Sequence, residues 1–208
     1  MIRAIIGCER SGVAREALRA VGVDAWSCDL EPAEDNSPFH LQGDVLFHAT
    51  NQYWDLGIFH PECTYLCSSG LHWNKRVPGR ADKTEQALEF VRKIMALPIK
   101  YKAIENPVGC IGTRIRKADQ YIQPHQFGHD ASKKTGLWLE NLPHLKPTLY
   151  VEPRMVGGKP RWANQTDSGQ NRLGPSEERW MERSRTYDGI AAAMTQWVEH
   201  IELQEMLT

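Results

Sequence analysis

Met1-Ile2-Arg3-Ala4-Ile5-Ile6-Gly7-Cys8-Glu9-Arg10-Ser11-Gly12-Val13-Ala14 opens the chain and decides its fold class. Residues 2–6 are a short apolar run of strand character that stops in a turn at Gly7. From Gly12 to Val21 the apolar side chains Val13, Ala14, Ala17, Leu18 and Val21 recur at helical spacing. Gly22 supplies a helix stop, and Val23–Cys28 reads as a second strand closed by Asp29-Leu30-Glu31-Pro32.

The same alternation continues outward. A loop rich in Asp, Asn, Ser and Pro leads to a short Gly43-Asp44-Val45 segment, and Trp54–Phe59 is a strand ending at His60-Pro61-Glu62-Cys63. Residues 68–81 carry Gly, Pro, Asn and basic side chains without periodicity and read as a long mobile loop. Lys83–Leu97 is a helix with Ala87, Leu88, Val91, Ile94 and Met95 on one face, and Lys102–Ile104 is a brief strand leading into Glu105-Asn106-Pro107. Residues 108–180 are less regular, and Tyr187–Leu203 is helical again. Strands alternating with helices predict an α/β, Rossmann-like fold: a mostly parallel sheet with helices on both faces.

At 208 residues, 41% hydrophobic and 25% charged, the chain can bury a core without staples. A net charge of -1 argues against a protein that coats nucleic acid, so any such affinity has to come from clustered Lys and Arg. The five cysteines are odd in number and irregularly spaced, unlike a secreted disulfide framework. Cys63 and Cys67, flanked by His60 and His72, lack the second ligand pair of a structural zinc site, so no metal is expected. The apolar run at the N-terminus is too short for a signal peptide or a membrane span, and the cytoplasm is the expected compartment.

Ligands of doubly wound sheets sit beyond the carboxyl ends of the strands, near the switch point. Gly7, Glu9, Ser11 and Gly12 form a small-residue turn where a ligand can approach backbone N–H groups. Asp29 and Glu31 end the second strand, where a carboxylate can accept from ribose hydroxyls, and Asp44 is suited to an adenine amino group. Such turns and acids also serve as plain turns and helix caps. Two acids without a P-loop lysine suit a nucleoside better than a polyphosphate. Cys63 follows Pro61 and Glu62 in a polar turn that ends a strand, and Glu105 ends the next one. Parallel neighbours lie ~4.8 Å apart, so the thiol and the carboxyl can share a pocket, a workable pair for addition to an electron-poor ring.

This order of motifs resembles the DNA cytosine-C5 methyltransferases, especially compact phage-type members without a large target-recognition domain. The carrying residues are Ile6-Gly7 through Ser11-Gly12, Asp29 or Glu31, Gly43-Asp44-Val45, Pro61-Glu62-Cys63-Thr64 followed by Ser68-Ser69-Gly70, Glu105-Asn106-Pro107 and Asp188-Gly189-Ile190-Ala191-Ala192-Ala193-Met194. Gln123-Pro124-His125-Gln126-Phe127-Gly128 and Lys133-Lys134-Thr135-Gly136-Leu137-Trp138 look like the compact phage group. The resemblance implies one methyltransferase domain over 1–208: a cofactor and catalytic core at 1–110, an irregular substrate-facing region at 111–183, and a C-terminal helix at 184–208 packing back on the core. It implies S-adenosylmethionine as cofactor, Cys63 and Glu105 as catalytic residues, and Gly7, Glu9, Ser11, Gly12, Asp29, Glu31, Asp44 and Pro61 around the cofactor. Asn106, Ser68, Arg76, Arg80, Lys133 and Lys134 are the expected substrate contacts.

The implied reaction adds Cys63 to C6 of cytosine in DNA while Glu105 stabilises protonation at N3, and C5 then takes a methyl group. Glu62 replaces the family's second proline, and its charge is expected to raise the Cys63 pKa unless Arg76, Arg80 or Lys134 offsets it. The family's Gln-x-Arg-x-Arg motif and its recognition domain are missing. Relaxed duplex specificity or a free pyrimidine nucleotide as substrate therefore stand as alternatives, as does a non-catalytic protein that holds the cofactor and nucleic acid. Arg114, Arg116, Lys117, Lys133, Lys134, Lys159 and Arg161, with Trp138 and Trp162, form the candidate phosphate-binding groove. His60, three residues before Cys63, is the histidine to test.

Overall fold

A computed structural model describes residues 1–174 and 185–207. Seven strands make the main sheet: β1 (Arg3–Gly7), β2 (Asp24–Asp29), β3 (His40–Gln42), β4 (Leu56–Phe59), β5 (Tyr101–Pro107), β6 (Gln120–Ile122) and β7 (Thr135–Glu140). Their order is β3-β2-β1-β4-β5-β7-β6, and only β7 runs against its neighbours. The principal helices are α1 (Val13–Arg19), α2 (Val45–Asn51), α3 (Ser68–Leu71), α4 (Arg80–Met95), α5 (Ile111–Arg114), α6 (Asp188–Ala193) and α7 (Thr195–Met206). A small hairpin of β8 (Arg154–Val156) and β9 (Lys159–Arg161) stands apart from the sheet. This is the Rossmann-like α/β fold with a mostly parallel sheet that the alternation of elements predicts.

The sheet is covered on both faces because its central strands are apolar on both. Side chains of a strand alternate between faces, and here Ala4 and Ile6 of β1 join Leu56 and Ile58 of β4 in a core with Leu18 of α1, Ala191 of α6 and Trp197 of α7. Ile5 and Phe59 face the other way, onto Leu88, Val91 and Ile94 of α4. Burying each such side chain contributes roughly 1.5–3 kcal/mol. One charged exception is Lys102 on β5, 4% exposed. Its ammonium donates to the carbonyls of Met95 (2.8 Å) and Leu97 (2.6 Å) and pairs with Glu140 at 3.0 Å. It thereby satisfies acceptors that the end of α4 leaves without helical partners.

Several boundaries differ from the sequence reading. Residues 68–81 are no open loop: α3, a 3₁₀ turn at His72–Lys75 and the start of α4 occupy them. Tertiary bonds, which leave no periodic signal, hold these turns: Asn74 Nδ2 donates to Thr84 Oγ1 (2.9 Å), and Arg80 donates to the Thr64 carbonyl (2.9 Å). The strand read as Lys102–Ile104 runs from Tyr101 to Pro107, because buried Glu105 and Asn106 continue its pairing with β7. Residues 108–180 contain β6 and β7, two strands of the main sheet. The helix expected over Tyr187–Leu203 is two, α6 and α7, meeting at Met194. The boundary expected at 183–184 lies outside the described residues.

Candidate active site

The carboxyl ends of β1 to β5 share one edge of the sheet, and the strand order reverses between β1 and β4. A cleft of about 1460 Å³ opens along that edge. That exceeds the roughly 300–1,000 Å³ of a pocket for one small ligand, so there is room for two side by side.

One half of the cleft is built by the turns after β1, β2 and β3. Glu9, 4% exposed, accepts from the backbone N–H groups of Ala14 (2.7 Å) and Arg15 (3.3 Å). The first turn of α1, which in many nucleotide-binding folds receives a phosphate, is thus already occupied by a carboxylate of the chain. Burial pushes the Glu9 pKa up, against the pull of His60 and these two donors. Asp29 and Glu31 line the cleft, with Asp29 Oδ1 accepting from the Glu31 N–H at 3.0 Å. Asp44 lines it too, but one oxygen is committed to capping α2 through Leu46 N–H at 2.9 Å. Ser11 and Pro61 also line it.

Gly7 and Gly12 flank the lining turn Cys8–Ser11, and each is small for a packing reason. A Cβ on Gly7 would stand 2.5 Å from Phe59 and from Val45. Gly12 has φ +72°, and a Cβ there would meet the Arg15 guanidinium at 2.2 Å. That guanidinium is fully buried beneath the turn, bonded to Ser27 Oγ (2.7 Å) and Glu16 (2.8 Å) and paired with Asp35.

The other half comes from the turns after β4 and β5. Cys63 opens a helical turn in which the Leu66 and Cys67 N–H groups bond its carbonyl (3.0 and 2.9 Å). Two links hold this turn against β5. Asn106 Nδ2 donates to the Pro61 carbonyl at 2.6 Å. Gly109 lies so close to the turn that a Cβ would be 1.9 Å from the Leu66 carbonyl oxygen, and on either side Ser68 N–H bonds Val108 O (2.9 Å) and Cys110 N–H bonds Leu66 O (2.8 Å). Cys63 and Glu105 therefore line the same cleft. Asn106, expected among the substrate contacts, is 1% exposed and lines the cleft; its Nδ2 makes this link, while its Oδ1 is buried with no hydrogen-bond partner among the described residues.

The two groups carry opposite proton biases. A hydrogen bond with the Cys67 thiol and burial raise the Cys63 pKa, Glu105 adding to the rise and Lys133 opposing it. The expected culprit, Glu62, is exposed and acts on Cys8; the expected offset from Arg76, Arg80 or Lys134 is supplied by Lys133. For Glu105, burial raises the pKa, but the hydrogen bond from His60, the Lys133 charge and Thr135 outweigh it and the net direction is down. His60 Nδ1 lies 2.8 Å from Glu105 Oε2. Among the described residues the site at rest therefore holds a protonated thiol beside an ionised carboxylate.

Ser68, Arg80, Lys133 and Lys134 line this half. Arg80 also lies over the Tyr65 ring at 4.9 Å, and the Lys134 ammonium over Tyr121 at 4.7 Å. Arg76 does not line the cleft; its guanidinium lies 5.7 Å from the Trp73 ring centre. Of the candidate groove, only Lys133 and Lys134 reach the cleft. Arg114 pairs with Glu85 (3.0 Å), Arg116 with Asp119 (2.8 Å), Trp138 is 3% exposed, and Trp162 stacks on His125 at 4.3 Å. Sequence reasoning missed Gly109 and Thr135, and considered Cys67 only for zinc. A glycine just past a strand-end motif was the available signal for Gly109.

No protein-family profile and no curated protein matches the chain. Among solved structures it is similar to a protein described as a DNA modification methyltransferase encoded within an E. coli prophage (14% identity, TM-score 0.49, covering 73% of this chain and 52% of that one). It is also similar to the Entamoeba histolytica methyltransferase EhMeth (14%, TM-score 0.49, 73% and 58%). A third is the S. pombe Dnmt2 methyltransferase (16%, TM-score 0.42, 69% and 52%). The chain spans between 52% and 58% of the length of these proteins.

Proposed function

We propose that this protein transfers a methyl group from S-adenosylmethionine to C5 of cytosine in DNA through a covalent adduct with Cys63. The observation that carries the reading is the pairing of a thiol and a carboxylate on the ends of neighbouring strands β4 and β5, in one cleft with room for a second ligand. The donor set fits the cofactor: Asp29, Glu31 and Asp44 offer carboxylates to hydroxyl and amino groups, and Glu9 already holds the N–H groups of the first turn of α1 that a phosphate would need. When bound there, S-adenosylmethionine supplies an electrophilic methyl group.

The chain's own residues then account for the proton. At rest the pair holds one proton, on Cys63. In the adduct the sulfur is bonded to C6 and one proton sits on ring N3, so the inventory matches and only the location changes. Glu105, ionised at rest, accepts the thiol proton and delivers it to N3 as the C6–S bond forms, leaving electron density at C5. After C5 has taken the methyl group, the C5 proton passes to solvent, the Cys63 thiolate departs, and the N3 proton returns through Glu105 to the thiol, which restores the neutral ring and the resting pair. Lys133, which favours both the thiolate and the carboxylate, suits a site where negative charge passes between them. In a duplex the target base has to leave the stack at a cost of a few kcal/mol.

The test is mass spectrometry of nucleosides from duplex DNA, and separately of dCMP, after incubation with the protein and S-adenosylmethionine. A methylated cytosine in the DNA sample is expected. Product from dCMP alone would move the substrate to free nucleotides, and cofactor binding with no product from any pyrimidine would leave a binding protein.

A further inference from the structure

His60 sits at the switch point, at the end of β4, with its backbone N–H on the Gly7 carbonyl at 2.9 Å. Its side chain is 8% exposed and reaches Glu105 Oε2 with Nδ1 at 2.8 Å. Its other nitrogen, Nε2, is buried and has no hydrogen-bond partner among the described residues. With only that one partner, the ring donates Nδ1–H to the carboxylate. We propose that His60 is a positioning residue for the Cys63–Glu105 pair: its Nδ1–H fixes the Glu105 carboxyl and keeps it ready to receive the thiol proton. The inference rests on the proposed reaction and extends it to a residue outside the two reacting side chains.

The physical argument is a competition at Glu105. Burial alone favours the protonated carboxyl, which is a filled acceptor that Cys63 cannot use. The groups facing Glu105 are His60 and Cys63 from the end of β4 and the turn after it, Lys133 just before β7, and Thr135 at its start, with Glu9 from the turn after β1 facing His60. A Cys63 thiolate repels a charge on Glu105, whereas Lys133 and Thr135 favour it; Glu9 acts on His60. His60 is the leading favourable contact and touches the carboxylate directly. Its rigid ring fixes the engaged oxygen as Oε2.

The experiment compares wild type, His60→Ala and His60→Asn, the last keeping an N–H donor near the position of Nδ1. In wild type the acid limb of kcat/KM follows Glu105 taking up a proton. In His60→Ala that limb should move up by about one pH unit, a roughly tenfold loss at a pH on the limb, while His60→Asn returns most of it. Equal loss at every pH, with no return in the Asn variant, would overturn the proposal in favour of simple packing. A second readout needs no turnover: the 13C carboxyl shift of Glu105, assigned by its loss in Glu105→Gln, followed against pH. Its midpoint should rise in His60→Ala and fall back in His60→Asn; an unmoved midpoint overturns the coupling. If wild type transfers no methyl group to any pyrimidine, the proposed reaction fails, and the carboxyl titration still decides the role of His60.

Discussion

Gly109→Ala tests how the proposed reacting pair, Cys63 and Glu105, is held together. The added Cβ would lie 1.9 Å from the Leu66 carbonyl oxygen and 2.7 Å from Cys67 Cα, both backbone atoms that no rotamer can move. Real Cβ contacts essentially never fall below 3.0 Å, so the turn that carries Cys63 has to retreat from β5 by about 1 Å or more. Displacement on that scale at a reacting group costs on the order of 100-fold in rate, whereas overpacking of this kind costs about 1–3 kcal/mol of stability. Gly189→Ala is the matched control, with its Cβ 1.9 Å from the Phe127 carbonyl oxygen but on α6, outside the cleft lining. Both variants are expected to lose thermal stability to a similar degree. Only Gly109→Ala should lose methyl transfer on the order of 100-fold below its melting range, with S-adenosylmethionine affinity by calorimetry within a few-fold of wild type. If Gly109→Ala transfers as fast as Gly189→Ala, the packing at residue 109 does not position the thiol and the reasoning fails.

Other outcomes follow from the same site. Cys67→Ala removes the hydrogen bond that leads the rise of the Cys63 pKa; alkylation of Cys63 by iodoacetamide at pH 8 should quicken several-fold, read by peptide mass spectrometry, and an unchanged rate would deny the contact its role. Glu105 has a folded pKa below its unfolded value, so its ionisation stabilises the fold above the usual glutamate range and that contribution disappears as pH falls through the folded pKa. Thermal melts from pH 7 down to pH 3 should therefore fall more steeply for wild type than for Glu105→Gln; parallel curves would contradict the assigned direction. Glu9, shifted the other way, is present in both proteins and cancels in the difference.

The parallel part of the sheet is legible because β1, β4 and β5 are short apolar runs that end in polar turns, a pattern that burial on both faces imposes locally. The same logic puts Cys63 and Glu105 at neighbouring strand ends, and both line one cleft. What sequence spacing does not carry is everything decided by contacts distant along the chain. The antiparallel β7 is a six-residue segment whose place between β5 and β6 depends on pairing such as Glu105 with Leu137 and Gly136 with Tyr121. The turns at 68–75 are held by bonds to Val108 and Thr84. Charge assignments fail for the same reason: Glu62 adjoins Cys63 in sequence, yet Cys67 one helical turn away makes the closer electrical contact, and Arg76 lies at Trp73 while Lys133, seventy positions on, faces the thiol. The packing demand on Gly7 and Gly12, against Phe59 and Arg15, is likewise invisible in sequence spacing.

Incubation with S-adenosylmethionine and a duplex bearing 5-fluorocytosine, followed by intact-protein and peptide mass spectrometry, addresses the reaction most directly, since fluorine at C5 cannot leave as a proton and the adduct is stranded. A covalent protein–DNA species attached through Cys63, present in wild type and missing in Cys63→Ser, is the expected result. A cross-link at Cys67 or another residue, or methylated cytosine formed by Cys63→Ser on ordinary duplex, would contradict it.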